Sequence, residues 1–502
     1  MHNRIFTKTI ALLSLILKGF QMSLLLYELV KSMTTSEKVY FKRNAKTHAG
    51  KTDKNYLKIY KVFEKAKKYD RDILSKHFKG TTIEKYLSSE VNYLKEKILI
   101  SLFNFNLNKT KRNQIQKGIL LVESLAEKGF QKEALKKLKT IKNTALRQEE
   151  YTWVLRLIEL EEILIFKEGT IGFKNILDQL QQQRTEAIDI IQNLNKYHIL
   201  REEVRELQFS HHLIKNDYKS LSEIHNNPLI ASEDKCMSIK AKEHWFYIHV
   251  LISYLQRNFK AGLDISSQYL QFINNNIHLF DDNKILPSLS NYIFHAALNS
   301  NRQHFDKGLN ILAELSRKKK VSSSYVKYII CTRNLEYAYY ANDIKLTKKH
   351  FDLSTELIDN YLDQYEEPQI QYIMLCIVRA AVVLKEFDKA IYYSNLWHQR
   401  GIITYRVAQA KLFSIIIHFE LNYIELLKSE IILLKKLEKK FLREKFLLNC
   451  FYTFINSITK YPKQKDTAIT KLQNSLKSIS DKDEDYFVFI SFDYYQWSLT
   501  IS

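Results

Sequence analysis

Ten glycines and four prolines in 502 residues leave this chain with under 3% of the two residue types that sharp backbone reversals draw on, where average usage is roughly 12%. Sandwiches, barrels and doubly wound sheets turn at every strand end, and those turns need the positive φ of glycine or the fixed φ of proline. A chain this short of both predicts long helices joined by few reversals, an all-α fold.

Hydrophobic residues make up 45% of the chain and charged residues 26%, enough apolar surface for two or three domain cores and too much for a disordered polymer. The charge is lopsided. Lys and Arg number 77 against 55 Asp and Glu, a formal +22, but residues 1–150 carry 32 basic and 14 acidic side chains while the rest carry 45 and 41. Sixty of the basic residues are lysine, and Asn, Ile and Tyr are abundant, a mixture that an AT-rich genome yields without selection for binding. Such bias raises lysine everywhere and does not explain the asymmetry. A polyanionic partner is therefore expected to meet the N-terminal third.

Arg4 and Lys8 precede the apolar run Ile10–Leu17 as in a signal peptide, but Lys18 closes the run, no small-x-small cleavage site follows, and a second apolar run starts at Leu24. Neither run nears the roughly 20 apolar residues of a membrane span. With Met22 and Met33 as further in-frame starts, residues 1–32 read as an extended gene start or a short amphipathic helix on a cytoplasmic protein. Cys236, Cys331, Cys376 and Cys450 are at least 45 residues apart in apolar helical stretches, which predicts reduced, core-packed thiols and neither a disulfide nor a zinc site.

Residues 33–108 predict four short helices, one capped by Ser36, one by Asp53, one starting near Asp70 and one capped near Ser88 or Ser89. The expected unit is a basic helical bundle. Lys38, Lys42, Arg43, Lys46, Lys51, Lys54 and Lys58 crowd into it beside Tyr40, Phe41, Tyr56 and Tyr60, as a polyanion-binding surface requires. Arginine, whose fork reads base edges, is scarce there, so sequence-specific recognition is not expected. The turn Phe78–Thr82 allows a helix-turn-helix reading.

From residue 113 onward the chain repeats. An aromatic or aliphatic anchor follows a polar turn at Phe130, Phe173, Tyr218, Phe259, Phe305, Ile344, Phe387 and Tyr423, a loose period of about 42 residues. Small residues stand three positions after several anchors (Gly262, Gly308, Thr347, Ala390), where a partner helix must approach closely. Apolar stretches on both sides of each anchor make one helical hairpin per period, and Pro228, Pro287 and Pro368 are placed in or just before the first turn of a new helix.

The strings Lys385-Glu386-Phe387-Asp388-Lys389-Ala390 and His304-Phe305-Asp306-Lys307-Gly308 resemble the turn and second-helix start of tetratricopeptide repeats. The period is longer than the roughly 34 residues of that family, and its tryptophan-leucine-glycine start and closing proline are mostly missing. The resemblance covers roughly residues 113–460. It implies an α-solenoid domain over 113–502, ending in capping helices, with a groove for a peptide or partner helix.

Chemistry is sparse. No G-x-G pair occurs, which excludes dinucleotide and phosphate-loop enzymes of those classes, and there is no G-x-S-x-G elbow. His211 and His212 are adjacent and His244 and His249 five apart, neither pair at metal-ligand spacing. Glu159, Glu161 and Glu162, flanked by Arg156 and Lys167, predict a solvated helix face. No enzyme, cofactor or metal is expected.

Arg333 and Arg379 are lone cations in the apolar first helices of two neighbouring repeats, eleven and eight residues before their anchors, so both fall on one helical face. They pair either with a carboxylate of an acidic peptide in the groove or, structurally, with Glu336 or Glu386. The sequence thus predicts a cytoplasmic, non-enzymatic scaffold for a protein or peptide partner, without an integral membrane span. A DNA-binding regulator, with the bundle on nucleic acid and the solenoid sensing a partner, is the reading from another class.

Overall fold

The computed structural model describes residues 23–47, 54–70, 72–107, 109–168, 173–210, 221–280, 282–317, 323–362, 365–402, 406–440, 445–480 and 492–501. Among them every regular element is a helix and no strand occurs, so the fold is all-α, with consecutive helices packed on one another. No helix among the described residues is long and apolar enough to cross a membrane. The chain divides into two compact units, Met1–Ala187 and Ile188–Ser502.

In the first unit, α1 (23–32), α2 (Thr35–Thr47), α3 (Asn55–Lys65), α4 (Ile73–Phe78) and α5 (Leu87–Asn106) enclose one core. Leu26 and Val30 of α1 meet Phe41, Phe63, Leu94 and Ile98 there. Thr34, not Ser36, caps α2, because Thr34 Oγ1 accepts from the Glu37 amide while the Glu37 carboxylate accepts from the Thr34 amide at 2.8 Å. Residues 1–22, with the run Ile10–Leu17, lie outside the described residues.

A second core gathers α6 (Lys111–Glu127), α7 (Gln131–Arg147), α8 (Tyr151–Glu168) and the start of α9 (Phe173–Ser210). The carboxylate cluster on α8 is only partly a solvated face. Glu161 sits one helical turn from both Leu157 and Leu164, which are buried, and so turns inward to a buried ion pair with Lys142. The Lys142 ammonium also donates to Gln183 Oε1 at 3.0 Å. Glu159 and Glu162 stay outside, paired with Arg156 at 2.8 Å and Arg184 at 2.5 Å.

The second unit continues through α10 (Leu221–His225) into helical hairpins: α11 (Ile239–Leu255) with α12 (Phe259–Asn275), α13 (Asp282–Leu298) with α14 (Arg302–Arg317), α15 (Ser323–Tyr340) with α16 (Ile344–Tyr361), α17 (Glu367–Val383) with α18 (Phe387–Gln399), α19 (Val407–Glu420) with α20 (Ile424–Lys440), and α21 (Lys445–Lys460) with α22 (Lys465–Ser480). The short α23 (Tyr494–Leu499) ends the described chain. The first helices α13, α15, α17 and α19 pack in succession. Cysteines 331, 376 and 450 are buried, Cys236 is half-buried, and none of the four is joined in a disulfide.

Phe173, Phe259, Ile344 and Phe387 each open a helix, Phe130 and Tyr423 directly precede one, and Phe305 lies in the first turn of α14. Tyr218 lies outside the described residues. The anchors mark turns more than they fill the core. Phe130, Ile344 and Tyr423 are largely exposed, and the buried residues are Ala134, Thr347 and Leu427 one turn later. Gly262 and Gly308 make the close approach: a Cβ on Gly262 would lie 2.3 Å from His295 Nδ1, and one on Gly308 2.5 Å from Ile293 Cγ1.

The turns share one device. Gly129, Glu149, Arg257, Ser300, Asn342, Lys385 and Asn422 all have positive φ. At Lys385, for example, the residue's own amide donates to Val382 O and the next amide to Ala381 O, the paired bonds of a Schellman cap. Asn258, Asn301 and Asp343 then cap the following helix through their side chains. Pro368 sits in the first turn of α17 as expected, inside a capping box between Glu366 and Gln369. Pro287 does not: α13 begins five residues before it, so the proline lies inside the helix and removes one intrahelical bond.

Candidate partner-binding site in the C-terminal unit

The row of first helices brings Arg333 and Arg379 into one aromatic neighbourhood. α15 is buried from Cys331 through Ala338 and α17 from Ile373 through Val382, so a cation in either helix must find its partners inside. Arg333 Nη1 donates to Glu336 Oε2 at 2.5 Å, and its Nε and Nη2 reach Ser290 Oγ on α13 at 3.3 and 3.1 Å. Its guanidinium lies over Phe294, 4.7 Å from the ring centroid. Tyr372 on α17 donates to the other Glu336 oxygen.

Arg379 donates to Cys376 Sγ at 3.9 Å and is flanked by aromatic rings. It lies over Tyr339 at 4.4 Å and Tyr340 at 5.8 Å, while Glu386 pairs with Lys348 at 2.6 Å and Lys389 at 2.8 Å. Arg406, which the sequence pattern did not single out, covers the Tyr372 ring at 4.9 Å. Burial holds the Tyr340 and Tyr372 hydroxyls well above their ordinary pKa, and it pushes the Cys376 thiol up to about 12. These groups stay protonated and serve as hydrogen-bond donors and apolar walls.

Beside this row a cavity of about 560 Å³ opens between Tyr339, Tyr340, Val383, Phe387 and the C-terminal segment. Its volume is that of an ordinary ligand pocket. Residues 492–501 return across the unit to reach it. The Asp493 amide donates to Tyr339 Oη at 2.8 Å, and Trp497 Nε1 donates to Glu420 at 2.9 Å. Phe492 meets Phe413 edge-on at 5.1 Å, and Trp497 stacks on Phe451 at 5.8 Å. The sequence pattern did not single this segment out, although the run Phe492, Tyr494, Tyr495, Trp497 carries a signal for it, because so many rings close together need a surface to cover them.

The basic candidates of the N-terminal bundle are spread over α2 and α3. Lys42 is exposed but paired with Glu64 at 2.6 Å, and its ammonium lies 5.7 Å from the Tyr60 ring. Arg43 lies over Tyr40 at 5.7 Å. Lys38 and Lys54 are half-buried, Lys58 is exposed, Lys46 belongs to α2, and Lys51 lies outside the described residues.

His211 and His212 also lie outside the described residues. His244 is enclosed by Arg201 at 3.1 Å and Glu243 at 3.3 Å, and His249 bonds the Ile230 carbonyl at 3.0 Å. Among the described residues no group of three metal-ligating side chains occurs. No protein-family model matches the chain, and no curated protein matches its sequence.

Proposed function

We propose that this protein is a cytoplasmic, non-enzymatic scaffold of tetratricopeptide-like repeats whose C-terminal unit holds a peptide or partner helix along its row of first helices. The observation that supports the reading is where the chain's own last described segment is seated. Residues 492–501 lie against Tyr339, Glu420 and the Phe413 and Phe451 rings by main-chain and aromatic contacts, the contacts a groove makes with a ligand strand or helix. The open cavity beside the segment, with its tyrosine, phenylalanine and valine walls, extends the same kind of surface.

The test is affinity capture from the native host with the wild-type chain and with the double variant Ile344→Arg/Lys385→Glu. Both side chains line the cavity at its outer edge, so the changes alter its mouth and leave the core intact. A partner retained by the wild type and lost by the variant is the expected result. An identical set of retained proteins ends the groove reading.

A further inference from the structure

Part of the basic excess of the first unit lies on a helix outside the N-terminal bundle. α7 buries Ala134, Leu138, Ile141 and Ala145. By the helical period Lys132, Lys136, Lys139 and Arg147 then fall on one outward stripe, and all four are exposed. The stripe is about 22 Å long, fifteen steps of about 1.5 Å. No ion pair engages any of the four among the described residues, and Glu133, the one acidic residue of α7, stands on the flank of the stripe.

The fold works against this arrangement. Like charges three and four residues apart destabilise a helix, and Lys132 stands in the first turn, where the helix dipole disfavours a cation. Lysine-rich composition does not account for it either, since α8 carries Arg156 and Lys167 against four glutamates. A row of cations that no ion pair engages among the described residues is what a polyanion would stabilise.

We propose that the outward face of α7 binds the phosphate backbone of nucleic acid without reading base sequence. Lysine supplies point charges suited to phosphate oxygens and lacks the fork that reads base edges. Between the cations the face carries Thr140 and Asn143, which suit sugar and phosphate oxygens. Its one exposed apolar side chain, Leu146 at the C-terminal edge, offers a lipid surface too little to insert, so nucleic acid is favoured over a membrane. This surface belongs to the other unit and is independent of the groove reading.

The test uses the full-length chain, with labelled duplex DNA and single-stranded RNA of arbitrary sequence titrated against salt. The variant K132A/K136A/K139A/R147A is expected to flatten the slope of log affinity against log salt by about 3.6 on duplex, at about 0.9 for each phosphate no longer neutralised, and by about 2.8 on the single strand. At about 0.1 M salt that is a weakening of the order of a thousandfold on duplex. The companion variant K38A/K42A/R43A/K58A is expected to keep most of the binding. Whichever nucleic acid responds identifies the source of the phosphates. No binding of either at low salt, a loss confined to the companion variant, or equally tight binding to phosphatidylserine vesicles overturns the proposal. Circular dichroism checks that each variant is folded, and K132Q/K136Q/K139Q serves if the alanine variant is not.

Discussion

A lysine at φ 56° is a costly way to end a helix, because its Cβ crowds the backbone in the left-handed region that glycine enters freely. Lys385→Gly is therefore expected to stabilise the α17–α18 hairpin by about 1 kcal/mol. The readout is amide exchange of those two helices, slowed about fivefold. Gly308→Ala should act the other way. Alanine is the better helix former by about 1 kcal/mol, but its methyl would meet Ile293 in a packed contact, and overpacking of this kind costs about 1 to 3 kcal/mol. An unchanged or higher melting temperature for Gly308→Ala would show that the α13–α14 contact yields. The positions of these turns were legible in the sequence, since a polar pair followed by an anchor marks them. Their backbone conformation was not, because the chain puts Lys, Arg, Ser and Asn where glycine is the usual signal.

At the scale of the helix pair, Glu336 is the carboxylate bonded to Arg333, and it takes Tyr372 as well. Removing one partner of a buried pair strands the other, so Glu336→Ala is expected to cost about 3 to 5 kcal/mol. The double change Glu336→Leu/Arg333→Met should cost far less, because no charge of the pair is then left in the interior. Exchange rates in α15 and α17 compare the two. If the double variant is as damaged as the single one, shape and not charge holds the helices together. The sequence placed both arginines on one face and offered Glu336 or Glu386 as partners. A three-residue spacing within one helix made the Arg333–Glu336 pair readable. The stacking of Arg379 on Tyr339 and Tyr340 depends on the register between α15 and α17, which periodicity within each helix does not contain. Glu161 departs from the expected solvated face for a related reason: a charged residue at a core position looks like surface until the helix it faces supplies Lys142.

For the whole molecule, acid should act unevenly on the two units. Burial lowers the pKa of His244 and His295 to about 4, with Arg333 adding to the effect at His295, and it also lowers His249, His350, His398 and His418. All six belong to the second unit. Each is held neutral when folded and takes up a proton more readily when unfolded, so its contribution is fully present above about pH 6.5 and is lost as pH falls towards 4. His244 and His295 account for about 3 kcal/mol each. Between pH 7 and pH 5, exchange corrected for intrinsic rates should accelerate in α11 to α19 and much less in α6 to α8. His295→Leu should remove part of that dependence. Equal acceleration in both units would mean that the carboxylates, not the histidines, govern acid stability.

The bond from the Asp493 amide to the Tyr339 hydroxyl joins residues 154 apart, and the one from Trp497 to Glu420 joins residues 77 apart. Helical repeats ordinarily peel from a free end, one hairpin after another, because each contacts only its neighbours. A tail fastened back to the middle of the row denies them that end. Under tension applied at the C-terminus, the load is shared by α15, α19, α21 and α22, and the helices between α15 and the tail are shielded inside a loop. Once the fastening gives way, the loop is released together, a lengthening of about 500 Å at about 3.3 Å per residue. The mechanical signature expected is one large rip where an open row would give a sawtooth of single hairpins, and the double change Tyr339→Phe/Trp497→Ala, which removes both fastenings, should turn the first into the second.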